Sequence, residues 1–239
     1  MNKATLPADL GVDLGSALLP QVGALGDGDY YTWVHSPVRP GGSLRIFRRD
    51  GLERFTHIPW WMVLVVWVPV VVALYVLSRR WQGLDPWEAA EHAALGLVLW
   101  SLTEYLLHRF VFHHRYRSAR GRQFHFLAHG IHHLDPWDRT RLVFPPLAGM
   151  ALATPIFFFL WAALPLGPAL ATMAGLLAGY IVYDMTHFYT HHAKPRTRWG
   201  KFLKAYHLAH HHRYSARMWG VTQPFWDVVF RTGRPKEPV

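Results

Sequence analysis

His129, His132 and His133 stand at positions i, i+3 and i+4, and His207, His210 and His211 repeat that spacing. On a helix these positions share one face, so three imidazoles from a single element can close on a metal ion. His187 and His191 have the i, i+4 spacing. His108 and His113 are five apart, which turns them about 140° past a full circle on a regular helix. That pair requires the helix to end or bulge there, or its two rings to serve different sides of a site, and bulges recur at functional sites. Neutral imidazole is the commonest metal ligand. Ten such groups exceed the roughly four to six donors that one ion takes. Two ions with about five histidines each is the natural division.

The elements that hold these histidines are set by the apolar pattern. Hydrophobic residues make up 51% of the 239 and charged residues 17%, a balance too apolar for an ordinary soluble surface. Ile58 to Leu77 is uncharged and long enough for one transmembrane helix. Trp87 to Leu107 is a weaker second span, with Glu88, Glu91 and His92 at its start and Glu104 near its end, charges that belong at the boundary or toward the interior. Leu142 to Leu166 is a third block, where Pro145, Pro146 and Pro155 bend or start helices. Ala169 to Tyr183 is a fourth that runs on into Asp184 and His187, with Gly167-Pro168 as the hairpin before it. The expected fold is all-α: a four-helix transmembrane bundle capped by a helical, histidine-rich metal domain. Residues 58–239 form the four-span unit, and residues 1–57 form a cytoplasmic arm, loosely ordered over 1–27 and lying along the membrane surface over 30–57.

Four spans put both termini on one side. Lys and Arg number six in 1–57, seven in 108–141 and ten in 186–239, against Arg79 and Arg80 alone on the opposite side. The positive-inside rule makes the richly basic side cytoplasmic, and all four histidine groups fall there although the count did not use them. The net charge of +10 thus follows membrane topology and lipid headgroups rather than nucleic acid, for which no motif appears. The 12 Trp, many near the ends of the apolar blocks, suit interfacial belts. Cys is absent, which excludes disulfides, Cys-ligated zinc and iron–sulfur clusters.

Carboxylates near the histidines are few. Glu104 precedes His108 by one turn and Asp184 precedes His187 by three residues; Asp138 and Asp227 lie in the cytoplasmic parts. Their expected role is to accept an imidazole's other N–H and fix its tautomer, the alternative being a simple pair with Arg109, Arg139 or Arg231. Tyr183 and Asp184 are the candidate catalytic residues. Tyr183 either lines the substrate path or anchors its helix at the interface. His35, His57 and His92 read as interfacial, and His114, His125, His192 and His212 as neighbours of ligands.

HRFVFH, HGIHH, RLVFPP, YDMTHFYTHH and YHLAHHH followed by GVTQPFWDVVF resemble the fatty acid hydroxylase/sterol desaturase superfamily. The likeness is to its fatty acid 2-hydroxylase branch, carried by Arg141-Leu-Val-Phe-Pro-Pro146 after the histidine box and by Tyr31-Thr-Trp-Val-His-Ser-Pro-Val38 with Leu44 to Trp61. It covers about residues 30–232. The resemblance implies a dinuclear centre bound by His108, His113, His129, His132, His133, His187, His191, His207, His210 and His211. It implies iron for activity, with zinc as a possible occupant in purified protein, and O2-dependent insertion of a hydroxyl at C-2 of a long acyl chain, often that of a sphingolipid. Many such proteins carry a fused cytochrome b5 domain; here the arm is short and lacks the His-Pro-Gly-Gly signature. A separate cytochrome b5-like or ferredoxin-like electron donor is therefore expected, in a bacterial inner membrane or endoplasmic reticulum. The competing readings are a carotenoid or sterol hydroxylase or a desaturase, a membrane metal-binding or transport protein, and a metal-dependent hydrolase. A transporter places ligands along its spans, whereas these cluster at one boundary; a hydrolase mixes carboxylates among its ligands, and this chain offers few.

Overall fold

The structure is a computed structural model that describes residues 10–235; the first part of the expected loose arm, residues 1–9, lies outside them. Eleven α-helices are described: α1 Leu18–Ala24, α2 Asp27–Val34, α3 Asp50–Arg54, α4 Trp61–Arg80, α5 Pro86–Leu107, α6 Ala119–His125, α7 Ile131–Leu134, α8 Pro146–Ala163, α9 Leu166–His192, α10 Arg198–His212 and α11 Phe225–Val229. Two π-helical turns, His108–Phe112 and Phe126–Gly130, extend α5 and α6. There is no strand among the described residues.

Three helices, α4, α8 and α9, are long and apolar enough to cross a membrane. α5 has the length, at 22 residues, but carries Glu88, Glu91 and Glu104 and is not one of the three. Its start is strongly specified: the Asp85 carboxylate accepts from Trp87 N at 2.8 Å, Glu88 reaches back to Asp85 N at 3.3 Å, and Pro86 occupies the first helical position. α8 likewise starts on a proline, Pro146, so Arg141, Leu142 and Val143 are buried outside the helix rather than opening it. α9 begins at Leu166, which puts the hairpin at Leu164-Pro165 instead of Gly167-Pro168. Pro168 fits inside the first turn because the N–H it lacks has no helical partner there.

α9 is the axis of the bundle. At 27 residues it runs about 40 Å and is mostly buried against α4 and α5. Its small residues allow this. A Cβ built on Gly175 would lie 1.9 Å from the Ala93 carbonyl oxygen, and one on Gly96 would lie 2.0 Å from that of Thr172. The α5 and α9 backbones therefore touch, and the pairing fixes where His108 and His187 emerge. Trp67, Trp100, Leu177 and Tyr180 fill the core around this contact.

A second core lies beyond the helix ends. Leu18, Val22, Tyr30, Trp33, Leu44 and Ile46 pack with Phe126, Ile131 and Leu134. Residues 10–27 were expected to be loose. Instead α1 packs on α6, and backbone bonds from Leu18 N to Arg45 O (2.9 Å) and Leu19 N to Ile46 O (3.1 Å) tie the arm together. Leu44 and Ile46 turn inward on alternate positions of extended chain while the Arg45 side chain bonds Asp50 outside.

Candidate metal centre

The ten histidines converge as two groups of five. His108, His113, His129, His133 and His210 form one; His132, His187, His191, His207 and His211 form the other. In each, one ring nitrogen per residue lies within 4.8 Å of all the others. The sequence spacing put each i, i+3, i+4 triplet on one helix face and left open how it divides between two ions. Each triplet is split: His129 and His133 face the first group and His132 the second, while His207 and His211 face the second and His210 the first. Positions i and i+4 differ by about 40° around a helix and i+3 falls on the other side of i by about 60°, so two closely spaced groups are served from one turn. The groups adjoin at His133 and His211, whose rings stack at 4.0 Å.

The awkward pair is resolved by a π turn. His113 N donates to His108 O at 3.1 Å, an i to i+5 bond, and the wider turn carries residue 113 back to the face of residue 108. Both rings then join the first group.

The donor set fits metal. His133 Nε2 lies 3.1 Å from both His113 Nε2 and His129 Nε2, and His113 Nε2 is also 3.1 Å from His210 Nε2. In the second group His207 Nε2 is 2.8 Å from His191 Nε2 and 3.1 Å from His211 Nε2. One N–H cannot satisfy several nitrogens at once, so hydrogen bonds alone do not close either group. Metal–nitrogen bonds of about 2.1 Å at right angles place donors about 3 Å apart, as here. His187 Nε2 is buried with no hydrogen-bond partner. Burial holds the imidazoles neutral: His108 is pushed down to about 4, and His113, His129, His132, His133, His207, His210 and His211 fall well below the usual value, chiefly through desolvation and then through neighbouring histidines.

Two of the ring orientations are fixed by main chain. His108 Nδ1 donates to Trp219 O at 2.5 Å, and His210 Nδ1 donates to Arg217 O at 2.6 Å. Both acceptors are backbone carbonyls of the loop before α11, where sequence reasoning expected carboxylates. The carboxylates hold that loop instead. Asp227 accepts from Trp219 N (3.0 Å) and Gly220 N (2.8 Å); Glu104 accepts from Val221 N (2.7 Å), Thr222 N (2.9 Å) and the Thr222 hydroxyl (2.6 Å). Asp184 Oδ2 accepts from Phe144 N at 3.2 Å, securing the Leu142–Phe144 segment. Asp138 bonds Ser43 and Thr140 and pairs with Arg141. None of these four carboxylates has a described hydrogen bond to one of the ten histidines.

Residues outside the expected ligand set also surround the centre. Trp219 packs its ring 4.7 Å from His113 and 5.3 Å from His210. His35, expected at an interface, stacks at 5.8 Å on His113 and meets His133 edge-on at 5.1 Å. His125 is fully buried and bonded to the Tyr30 hydroxyl at 2.6 Å, and burial pushes it down to about 3. Nothing in their spacing singles them out; their contacts depend on the arm folding over the centre.

An apolar groove of about 530 Å³ opens beside His129 and His132, between α6, the first π turn and α8, lined by Val111, Phe124, Leu127, Ala148 and Leu152. It shares Phe112, His129, Leu142 and Phe144 with a much smaller inner cavity of about 50 Å³, reaching Tyr183, Asp184 and His187.

A fatty acid hydroxylase family model matches residues 93–232, a span containing all ten histidines. The chain belongs to the fatty acid hydroxylase family. It is 42% identical over 222 residues to a dihydroceramide fatty acyl 2-hydroxylase of Arabidopsis thaliana, covering 92% of each chain. It is 36% identical over 250 residues to the fatty acid 2-hydroxylase of Homo sapiens, covering 95% of this chain and 66% of the human protein. The solved structure of scs7p, in which only the hydroxylase domain is visible, superposes with a TM-score of 0.89 at 37% identity, covering 94% of this chain and 86% of that one. The resemblance drawn from the histidine boxes and their flanks is borne out.

Proposed function

We propose that this chain is a membrane-bound oxidoreductase that hydroxylates C-2 of a long acyl chain of a fatty acid or ceramide, at a pair of ions held one by each histidine group. The observation that carries the reading is the meeting of two five-histidine groups with an apolar groove, in a chain so similar to proteins named as acyl 2-hydroxylases. Iron bound by these histidines supplies the redox chemistry with O2, whereas zinc, having no redox change, does not.

The protein's own residues do the rest. The groove is within the volume range of small-molecule sites and its walls suit an alkyl chain. Phe112, Leu142 and Phe144, which line both the groove and the inner cavity, would guide the chain toward His129 and His187 and exclude water. Asp184 holds Phe144 in place through its backbone N–H, and Tyr183 lines the inner cavity. One oxygen atom enters the C–H bond and the other leaves as water, so two electrons and two protons must be supplied, by a donor that we take to be cytochrome b5-like or ferredoxin-like. The topology we favour has four spans, α4, α5, α8 and α9, with the acidic residues of α5 at its two ends. Both termini and the histidine cap are then cytoplasmic, in a bacterial inner membrane or endoplasmic reticulum, and residues 10–57 close the cap over the centre.

The test is reconstitution without oxygen, with ferrous iron, a reductant and a ceramide or fatty acid, followed by oxygen and mass analysis. The expected product is the 2-hydroxy acyl chain. A new double bond, or hydroxylation away from C-2, overturns the assignment.

A further inference from the structure

The last described helix is built inside out. In α11 the one charged residue, Asp227, is fully buried. It accepts from Trp219 N and Gly220 N, from the Tyr206 hydroxyl at 3.0 Å and from the Thr232 hydroxyl at 2.7 Å. The apolar residues point outward: Phe225 is 58% exposed, Val228 71% and Val229 50%, with Phe230 following at 45%. Residues 225, 228 and 229 fall on one helical face. A helix on a water-facing surface has the opposite arrangement.

Its position explains the inversion. The Trp226 indole N–H donates to the Ser101 hydroxyl at 3.1 Å, and the Phe230 ring stacks on Tyr105 at 5.2 Å. Ser101 and Tyr105 lie in the last turns of α5, so the patch stands beside the exposed Val98 and Leu106 of that helix and near the exposed Phe110 just past its end. Basic groups rim it: Arg109 bonds Tyr105 and covers the Phe110 ring at 4.7 Å, and Arg231 is exposed. An apolar face continuous with a membrane-facing helix end and edged by cations matches the boundary between acyl chains and anionic headgroups.

We propose that α11 lies in the plane of the cytoplasmic leaflet, with Phe225, Val228, Val229 and Phe230 among the lipid chains. The proposal rests on reading α5 as a span. It gives the carbonyl that orients His108 a membrane anchor, since Asp227 joins the immersed helix to the Trp219–Gly220 backbone.

The chain has no cysteine, so single cysteines can be labelled without background. Val228→Cys, Phe225→Cys, Val98→Cys and Lys201→Cys are each labelled with a polarity-sensitive fluorophore. The proteins are placed in vesicles of phosphatidylcholine and phosphatidylglycerol, and quenching by brominated acyl chains is compared with quenching by aqueous iodide. The expected result is that labels at 98, 225 and 228 emit at shorter wavelength, are quenched by brominated lipid and are shielded from iodide, while 201 behaves oppositely. Labels at 225 and 228 that respond like 201, with 98 still in lipid, overturn the proposal and leave the span reading standing. Labels at 225 and 228 shielded from both quenchers also overturn it, because a protein surface then covers the face. A label at 98 in water overturns both readings. Two positions on one face keep the result independent of a single variant that fails to fold.

Discussion

At the scale of single residues, the centre depends on an exchange: His132 leaves its own box for the second group, and His210 leaves its own for the first. This makes metal stoichiometry a test of the partition. A His113→Ala/His210→Ala double variant removes two donors from one group and should retain about one of two ions. A His132→Ala/His210→Ala double variant removes one donor from each and should lower the occupancy of both. Metal analysis per chain checks this, and equal loss of one ion from both variants contradicts the grouping. A second prediction concerns Asp227, which touches no ligand but holds the Trp219 carbonyl over His108. Asp227→Asn should weaken metal binding about 10-fold, the low end of the 10–100-fold seen when a partner of a metal ligand is changed. Chelator competition measures it; unchanged affinity removes the residue from the support of the site. The sequence made the ten histidines legible because helical spacing reports a shared face. It did not reveal which ring faces which group, nor that Glu104, Asp184 and Asp227 bind main chain. Spacing places a side chain on a face, and its partner comes from another part of the fold.

At the scale of elements, the centre is positioned by two helices whose backbones are in contact. Gly175 and Gly96 are the contact points, and the helix ends they align deliver His187, His191, His108 and, through the π turn, His113. Gly175→Val should force α5 and α9 apart at the Ala93 carbonyl, at a cost of about 3 kcal/mol or more, the upper part of the range for overpacking a close-packed interior. The expected readout is a lower unfolding midpoint in detergent together with reduced metal content; a variant with an unchanged midpoint would show that the backbone contact is not needed. Gly149→Ala offers a milder comparison, since its added methyl meets a Trp67 ring carbon at 2.9 Å rather than main chain. Helix existence was readable from the apolar blocks. Their ends were off by a few residues because prolines and caps decide them: Pro146 starts α8 late, and Pro165 starts α9 early. The π turn was one of the options that a five-residue offset left open, and it is the one the chain adopts.

At the scale of the whole molecule, ten imidazoles are enclosed by a bundle on one side and by the folded arm on the other. The arm was the least legible part, since Leu18, Tyr30 and Ile46 become a core only when they meet Phe126 and Leu134, far along the chain. That enclosure sets a pH dependence. Eight of the histidines outside the long helices have values pushed below the usual imidazole range of about 6.5, His108 to about 4. Below about pH 6.5 the unfolded chain takes up protons that the folded chain refuses. More protons are then bound by the unfolded state, so stability rises with pH and is lost as pH falls from about 6.5 toward 4. Each fully titrating histidine contributes up to about 1.4 kcal/mol per pH unit, and several act together. Bound metal holds the same lone pairs, so protons must displace it first. The metal-free protein should therefore show an unfolding midpoint that changes little above about pH 7 and drops steeply as pH falls from about 6.5 toward 4. The metal-loaded protein should fall less until the metal is released, after which the two curves meet. Thermal unfolding at matched pH values, with metal content measured in each sample, checks both parts. Parallel curves for the two forms would mean that the buried imidazoles are not the groups that bind the metal.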